Sequence, residues 1–241
     1  MRYFFLFITM YFGLYKTDYT AQEIIDKSIE KSGLQVMSNA TLAFTFRDKH
    51  YKAVRKDGHF NLSKSFVKDG VKIEDILSNS GLQRFIGGKE VSLNEKAKNA
   101  YANSVNSVHY FAVLPYGLND KAVYKKLLPE VTIKGKAYYK IEITFNEKGG
   151  GDDFDDVFIY WIDKKTFKVT YLAYKYHTNG GGIRFRDVKK EHLIKGVRLV
   201  DYNNYKPLKK ELNFYDIDKE YENNKLKKLS EIVLENISIT Y

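Results

Sequence analysis

The chain has 241 residues, a formal charge of +10 and no cysteine. The missing thiols exclude disulfides, thiolate metal sites, cysteine nucleophiles and a lipoprotein acylation site together. The positive balance favours anionic partners such as lipid headgroups, polysaccharide or nucleic acid, but Lys and Asp/Glu interleave throughout, as on an ordinary solvated basic surface.

Arg2 precedes an apolar run over residues 3–15. A spanning helix needs about 20 residues, so this run fits the h-region of a signal peptide better. No A-x-A pattern follows it, and an uncleaved strand or short anchor is the alternative. The reading is a signal peptide over residues 1–21 and a single curved-sheet domain over residues 22–241. The protein is then exported, to the periplasm or the outer-membrane periphery, without a cysteine to carry a lipid anchor.

Thr20 and Glu23 form a capping box, Ile24, Ile25 and Ile29 follow at helical spacing, and Gly33 stands where a C-cap belongs. Strands come next. Residues 40–46 alternate, with Leu42, Phe44 and Phe46 on one side, and Asp57-Gly58 joins strands over 50–56 and 59–67 as a two-residue hairpin. Strands over 71–77 and 82–86 continue the meander, and Gly87-Gly88 turns it into residues 89–93. Ser92-x-x-Glu95 opens a second helical pattern through Ala97, Ala100, Tyr101, Ser104, Val105 and Val108, which ends before Pro115.

Strands over 131–133 and 138–145 lead into an aromatic-rich antiparallel stretch over 157–205. Residues 206–228 read as polar and irregular with a short helix, and residues 231–241 as a closing strand. The 20 Tyr, 16 Phe and single Trp supply a large core. Without β/α alternation, these elements specify one α+β domain: a large curved antiparallel sheet, a half-open barrel, wrapped around one or two helices.

Several blocks resemble a family of exported proteins of about this length from Bacteroidetes. They are Ala21-Gln-Glu-Ile-Ile-Asp-Lys27, Phe44-Thr-Phe-Arg-Asp48, Ser104-Val-Asn-Ser-Val-His-Tyr110 with Leu114-Pro-Tyr-Gly-Leu-Asn-Asp120, Tyr160-Trp-Ile-Asp163 with Thr166-Phe-Lys-Val169, and Tyr174-Lys-Tyr-His-Thr-Asn-Gly-Gly-Gly-Ile-Arg-Phe-Arg186. This resemblance implies no activity. More weakly, the N-terminal helix, the run of strands and the Trp-Ile-Asp-x-x-Thr-x-x-Val hairpin resemble the carriers that shuttle lipoproteins across the periplasm. That resemblance implies a half-open curved sheet enclosing helices, with acyl chains held in its concave cavity. Fold alone does not establish function.

Four places in the chain carry candidate chemistry. His109-Tyr110, ending the second helix, can relay a proton; the alternative is a helix-terminal histidine that satisfies late carbonyls. Period-two alternation puts Tyr174 and Tyr176 on one face, and Arg184 and Arg186 likewise, around His177 and the Gly180-Gly-Gly182 turn. Paired guanidiniums can grip a phosphate or carboxylate, and the alternative is a hairpin whose arginines face acidic neighbours. Asp152, Asp153, Asp155 and Asp156 offer hard oxygens to Ca²⁺, but the spacing matches no known loop type and a solvated loop explains it too. Asp201-Tyr-Asn-Asn-Tyr205 suits a cavity rim or a strand end.

Hydrolase, zincin, P-loop and dinucleotide motifs are absent, and the five histidines do not cluster at metal spacing. The expectation is a non-catalytic envelope protein with no cofactor and no nucleic-acid partner. It binds a lipid, acyl chain or other amphipathic ligand, or an anionic headgroup at a membrane surface. Arg184 and Arg186, with Arg47, meet the head; Leu42, Phe44, Phe46, Phe158, Tyr160, Ile162, Tyr174 and Tyr176 face the tail. Two rival readings are a periplasmic enzyme, most plausibly hydrolytic, using His109 or His177, and a structural or partner-binding envelope protein whose cavity is filled by its own side chains.

Overall fold

The capping box forms as read. In α1 (Ala21–Lys31) the Thr20 hydroxyl accepts from the Glu23 N–H, and the Glu23 carboxylate accepts from the Thr20 N–H at 2.8 Å. An isolated helix shorter than about 12–15 residues is marginal in water, so burial of Ile24 and Ile25 at 0 % exposure holds it. Ser32 is the C-cap, one residue before the expected Gly33, and Gly33 follows with φ +65°. The computed structural model describes residues 19–148, 154–209 and 211–241. The apolar run at 3–15, Asp152 and Asp153 lie outside them.

The first sheet is a meander of β1 (Thr41–Phe46), β2 (Lys49–Lys56), β3 (His59–Lys68), β4 (Val71–Ser78), β5 (Gly81–Ile86) and the two-residue β6 (Lys89–Glu90). Then comes α2 (Glu95–Ala112). Its N-cap is Asn94, whose side chain accepts from the Ala97 N–H, and not the expected Ser92. The second meander runs through β7 (Val123–Ile133), β8 (Lys136–Phe145), β9 (Val157–Asp163), β10 (Val169–Tyr176), β11 (Gly182–Ile194) and β12 (Val197–Pro207). After α3 (Ile217–Glu222), the segment β13 (Leu226–Ile232) and β14 (Leu234–Thr240) ends the fold.

All pairings are antiparallel between neighbours, in two seven-stranded sheets ordered β14-β1-β2-β3-β4-β5-β6 and β13-β12-β11-β10-β9-β8-β7. The expected single closing strand is therefore two. β13 completes one sheet against β12, the chain breaks at Val233, and β14 completes the other against β1. The break is covered by a side chain: the Leu234 N–H donates to Asp201 Oδ1 at 2.9 Å, and His192 Nε2 stands 3.0 Å from the same oxygen.

Both faces of the second sheet are buried, and strand alternation divides its residues between them. Phe158, Tyr160, Ile162 and Leu172 face the main core with α1, α2 and the first sheet. Ile159, Trp161, Tyr171 and Ala173 face a second cluster with Phe214, Ile217 and Tyr221, under α3. Each such side chain, fully buried, is worth about 1.5–3 kcal/mol. Lys140 Nζ fastens α3 with 2.6 Å to the Tyr215 carbonyl and 3.1 Å to Asp218 Oδ1.

α2 crosses the first sheet and buries Val105, His109 and Ala112. Beneath it lies a buried ion triad. Asp75, fully buried, meets Lys64 Nζ at 3.0 Å and Arg84 Nη1 at 3.1 Å. Lys64 also donates to Ser104 Oγ at 3.1 Å, and the Arg84 guanidinium lies 3.8 Å from the Tyr101 ring centroid, so both cations reach into the helix.

Candidate functional site

Between α2 and the concave side of the second sheet is a cavity of about 850 Å³. Register orders its sheet wall into rows. Gly182 pairs with Tyr176; one row further along, Arg184 pairs with Tyr174 and Tyr174 with Phe158; the next joins Arg186, Leu172 and Tyr160. On the other side Arg186 pairs with Asn204. Phe46 and Phe145 extend the aromatic wall. The opposite wall is α2, which presents Asn103, Asn106, Ser107, Tyr110 and Phe111. Ala100, Asn106, Ser107 and Thr178 are exposed and mark the mouth; Arg186, Val200, Tyr202 and Leu234 are buried and mark the floor.

Arg186 is the unusual group. It is 7 % exposed, and among the described residues no carboxylate lies within ion-pair distance of it. The Phe111 ring centroid is 3.8 Å from its guanidinium carbon and that of Tyr174 is 5.2 Å away. One bond is made, from Nη2 to the Tyr174 hydroxyl at 3.0 Å, while Nε and Nη1 are buried with no hydrogen-bond partner. A cation–π contact recovers about 0.5–2 kcal/mol and a charged hydrogen bond about 1.5–3 kcal/mol. Burying the charge costs several kcal/mol, so the guanidinium is left under-compensated.

The hydroxyls nearby are donors at neutral pH. Burial pushes the Tyr110 and Tyr202 phenols up to about 12. Burial also raises the Tyr160 phenol well above its ordinary value, and its hydroxyl lies 3.3 Å from that of Tyr110.

The structure thus brings Tyr174, Tyr176, Arg184 and Arg186 to one cavity. Arg184 packs over the Tyr176 ring at 5.1 Å and donates to the Ile183 carbonyl at 2.9 Å. Arg47 is placed elsewhere: it is exposed in the β1–β2 turn, its guanidinium 5.0 Å from the ring of Phe46, and outside the lining. Of the expected tail-facing residues, Phe46, Phe158, Tyr174 and Tyr176 line the cavity. Leu42, Phe44, Tyr160 and Ile162 are packed into the core beside it.

Among the described residues, His109 meets no carboxylate. Its Nε2–H donates to the Ser63 carbonyl at 3.0 Å, the ring stands edge-on to Phe44 and Tyr51, and burial depresses its pKa to about 4. It is a packed neutral imidazole. His177 is exposed beside the mouth, with Nδ1 3.2 Å from Asp155 Oδ2 and 4.0 Å from Asp156 Oδ1. Among the described residues, Asp155, Asp156 and His177 group their ligand atoms within 4.8 Å of one another. That mixed nitrogen–oxygen set departs from the all-oxygen shell Ca²⁺ takes. Asp201, in the segment read as a cavity rim, is instead buried at the β13–β14 break.

Residues 1–235 match the model of a family of unknown function, DUF6503. The chain belongs to this family. The match agrees with the family resemblance read in the sequence, which covers most of residues 21–241. No curated protein matches it. Among solved structures, the DUF6503 chain is similar to a LolA superfamily protein from Nitrosomonas europaea, at 14% identity over 92% of both chains and a TM-score of 0.49. It is also similar to a DUF1329 family protein from Desulfovibrio piger, at 12% identity over 92% of this chain and 93% of that one, with a TM-score of 0.42.

In the DUF6503 chain, the sequence reading missed the helical half of the site. Phe111 and the Asn103, Asn106 and Ser107 stripe carry a signal, a polar face at helical spacing next to an aromatic pair. Which sheet that face meets is set by the long connection from β6 to β7.

Proposed function

We propose that this chain is a non-catalytic cell-envelope protein that binds a lipid, acyl chain or other amphipathic ligand in the concave face of its sheet. The observation that carries this reading is the cavity of about 850 Å³, with an aromatic wall of Phe46, Phe145, Phe158 and Tyr174. Ligand pockets span about 300–1,000 Å³ and are lined mainly by apolar and aromatic groups with a few placed polar ones. Arg184 and Arg186 are the positive groups offered to an anionic head, and the aromatic rows solvate the tail. The envelope location rests on the apolar run at 3–15 and its signal-peptide character. No helix among the described residues is long and apolar enough to cross a membrane.

The test is native mass spectrometry of protein purified gently from its own envelope, followed by organic extraction, with N-phenyl-1-naphthylamine titrated into the delipidated protein. A co-purifying lipid or acylated species, and fluorescence enhancement of the probe that is lost on Phe158→Asp substitution, are expected. A clean apo mass together with no probe binding overturns the reading.

A further inference from the structure

The cavity floor is more selective than its walls. The geometry points to a single-chain carboxylate ligand that enters head-first, its carboxylate bound by Arg186 at the floor and its chain running out along the aromatic wall. This deepens the amphipathic-ligand reading and rests on it.

Three observations converge. The first is depth. Arg186 lies one strand row beyond Arg184 from the Gly182–Tyr176 row, and it is buried where the mouth residues Asn106, Ser107 and Thr178 are exposed. The mouth carries neutral amides and hydroxyls on α2, whereas the buried guanidinium that meets no carboxylate among the described residues is at the bottom.

The second is shape. Phe111 at 3.8 Å and Tyr174 at 5.2 Å pack against the guanidinium. Nη2 shares one edge of the guanidinium with Nε and the other with Nη1, and its bond to the Tyr174 hydroxyl uses one of its two N–H groups, while Nε and Nη1 are buried with no hydrogen-bond partner among the described residues. The edge that this bond leaves free pairs the second Nη2 N–H with one neighbouring N–H, and two such parallel groups match the two oxygens of a carboxylate. The Tyr174 hydroxyl accepts from Nη2, Tyr202 lines the same floor, and Tyr160 lies in the core beside it.

The third is charge count. Among the described residues, Arg186 is a buried cation of the lining with no carboxylate within ion-pair distance. Arg184 lies one row nearer the mouth, where the lining also includes the carboxylate of Asp156. Lys64, which reaches Ser104 on the lining, is bonded to Asp75, which it shares with Arg84. A monoanion balances this floor, while a dianionic phosphate leaves a buried negative charge in excess.

The test is competition for N-phenyl-1-naphthylamine on the delipidated full chain, using hexadecanoate, hexadecanol and hexadecyl phosphate. Hexadecanoate is expected to displace the probe about ten- to a hundredfold more tightly than hexadecanol, the difference of one charged hydrogen-bonded contact. Arg186→Met should abolish that preference while leaving hexadecanol binding intact, and Arg184→Met should leave the preference in place. Retained hexadecanol binding shows that Arg186→Met is folded, and the wild-type comparison needs no variant at all. Equal affinity for acid and alcohol in the wild type overturns the inference and leaves the amphipathic-ligand reading standing. So does a preference for hexadecyl phosphate over the acid, or a preference lost in Arg184→Met but kept in Arg186→Met. Failure of the neutral probe and of every competitor to bind overturns both.

Discussion

His109 Nε2 lies 3.0 Å from the carbonyl oxygen of Ser63, and this bond ties the last turn of α2 to the middle of β3. The ring is 1 % exposed and its Nδ1 has no hydrogen-bond partner, so protonation buries a charge. Burial holds the folded pKa at about 4, against an ordinary 6.5, partly offset by the Ser63 carbonyl. Between those values the unfolded chain binds a proton that the folded chain refuses, so stability falls as pH drops below about 6.5. The slope is about 1.4 kcal/mol per pH unit, giving about 2 kcal/mol between pH 6.5 and pH 5. Urea unfolding at both pH values should show this loss in the wild type and a loss smaller by that amount in His109→Gln. Identical pH dependence in the two proteins would show that His109 is not the group responsible.

The triad under α2 gives a second expectation. Asp75 bridges Lys64 and Arg84, one on each oxygen, while fully buried. Removing one partner of a buried ionic group leaves uncompensated charge and costs about 3–5 kcal/mol, whereas replacing the group by apolar residues is often neutral. Asp75→Ala should therefore lower stability more than the triple variant Lys64→Met, Asp75→Leu, Arg84→Met. Equilibrium urea unfolding decides it, and a triple variant less stable than Asp75→Ala would contradict the argument.

Gly33 stands in the left-handed region where α1 ends, and a Cβ there would lie 2.2 Å from the carbonyl oxygen of Gly196. The adjacent Ser32 carbonyl accepts from the Arg198 N–H at 2.8 Å, so the helix end is bonded to the β11–β12 hairpin. Gly58 also has positive φ but faces open space. Left-handed backbone costs a non-glycine residue about 1–2 kcal/mol, and Gly58→Ala should pay that alone. Gly33→Ala should be clearly worse, because backbone must move. Thermal unfolding of the two variants separates the terms, and equal melting temperatures would remove the steric one.

Asp201 is the group that spans the break between β13 and β14. Losing a buried acceptor for the Leu234 N–H costs about 1–3 kcal/mol in Asp201→Ala. Asp201→Asn keeps an oxygen for that N–H and should cost less. Hydrogen exchange at the Leu234 amide is the direct readout: it should accelerate in the alanine variant well beyond neighbouring β14 amides. Protection unchanged from wild type would show that the ladder, not the side chain, secures the crossing.

The fold was legible where local chemistry speaks for itself. The Thr20–Glu23 box, the Asp57-Gly58 hairpin and the alternation of Phe158 through Ile162 all carry their meaning within a few residues. β7 was read only over 131–133 because it is an edge strand, mostly exposed, with a register shift between Leu128 and Val131 that contains Pro129. Edge strands tolerate polar residues and proline, and so lose the alternation that marks a buried strand. β13 was hidden for a related reason, since Leu226-Lys-Lys-Leu229 is a mostly exposed, lysine-rich edge. In the site, alternation found the Tyr174, Tyr176, Arg184 and Arg186 face correctly. It did not separate the arginines, because depth in a cavity depends on strand order and on the helix laid across it. Arg47 shares their residue type but lies in a turn, where alternation has nothing to say.

The break at Val233 also divides the pairings by the length of chain they must close. Each meander pairs neighbours in sequence, which is fast, local closure, whereas β14 pairs with β1 across nearly the whole described chain, Thr240 against Thr41. Ile232 and Leu234 both line the cavity, one from each side of the break. Two half-sheets can therefore be complete while the chamber between them is still unfinished. The wall that Ile232 and Leu234 complete thus depends on the longest-range pairing in the fold, the contact whose loop closure costs the most entropy.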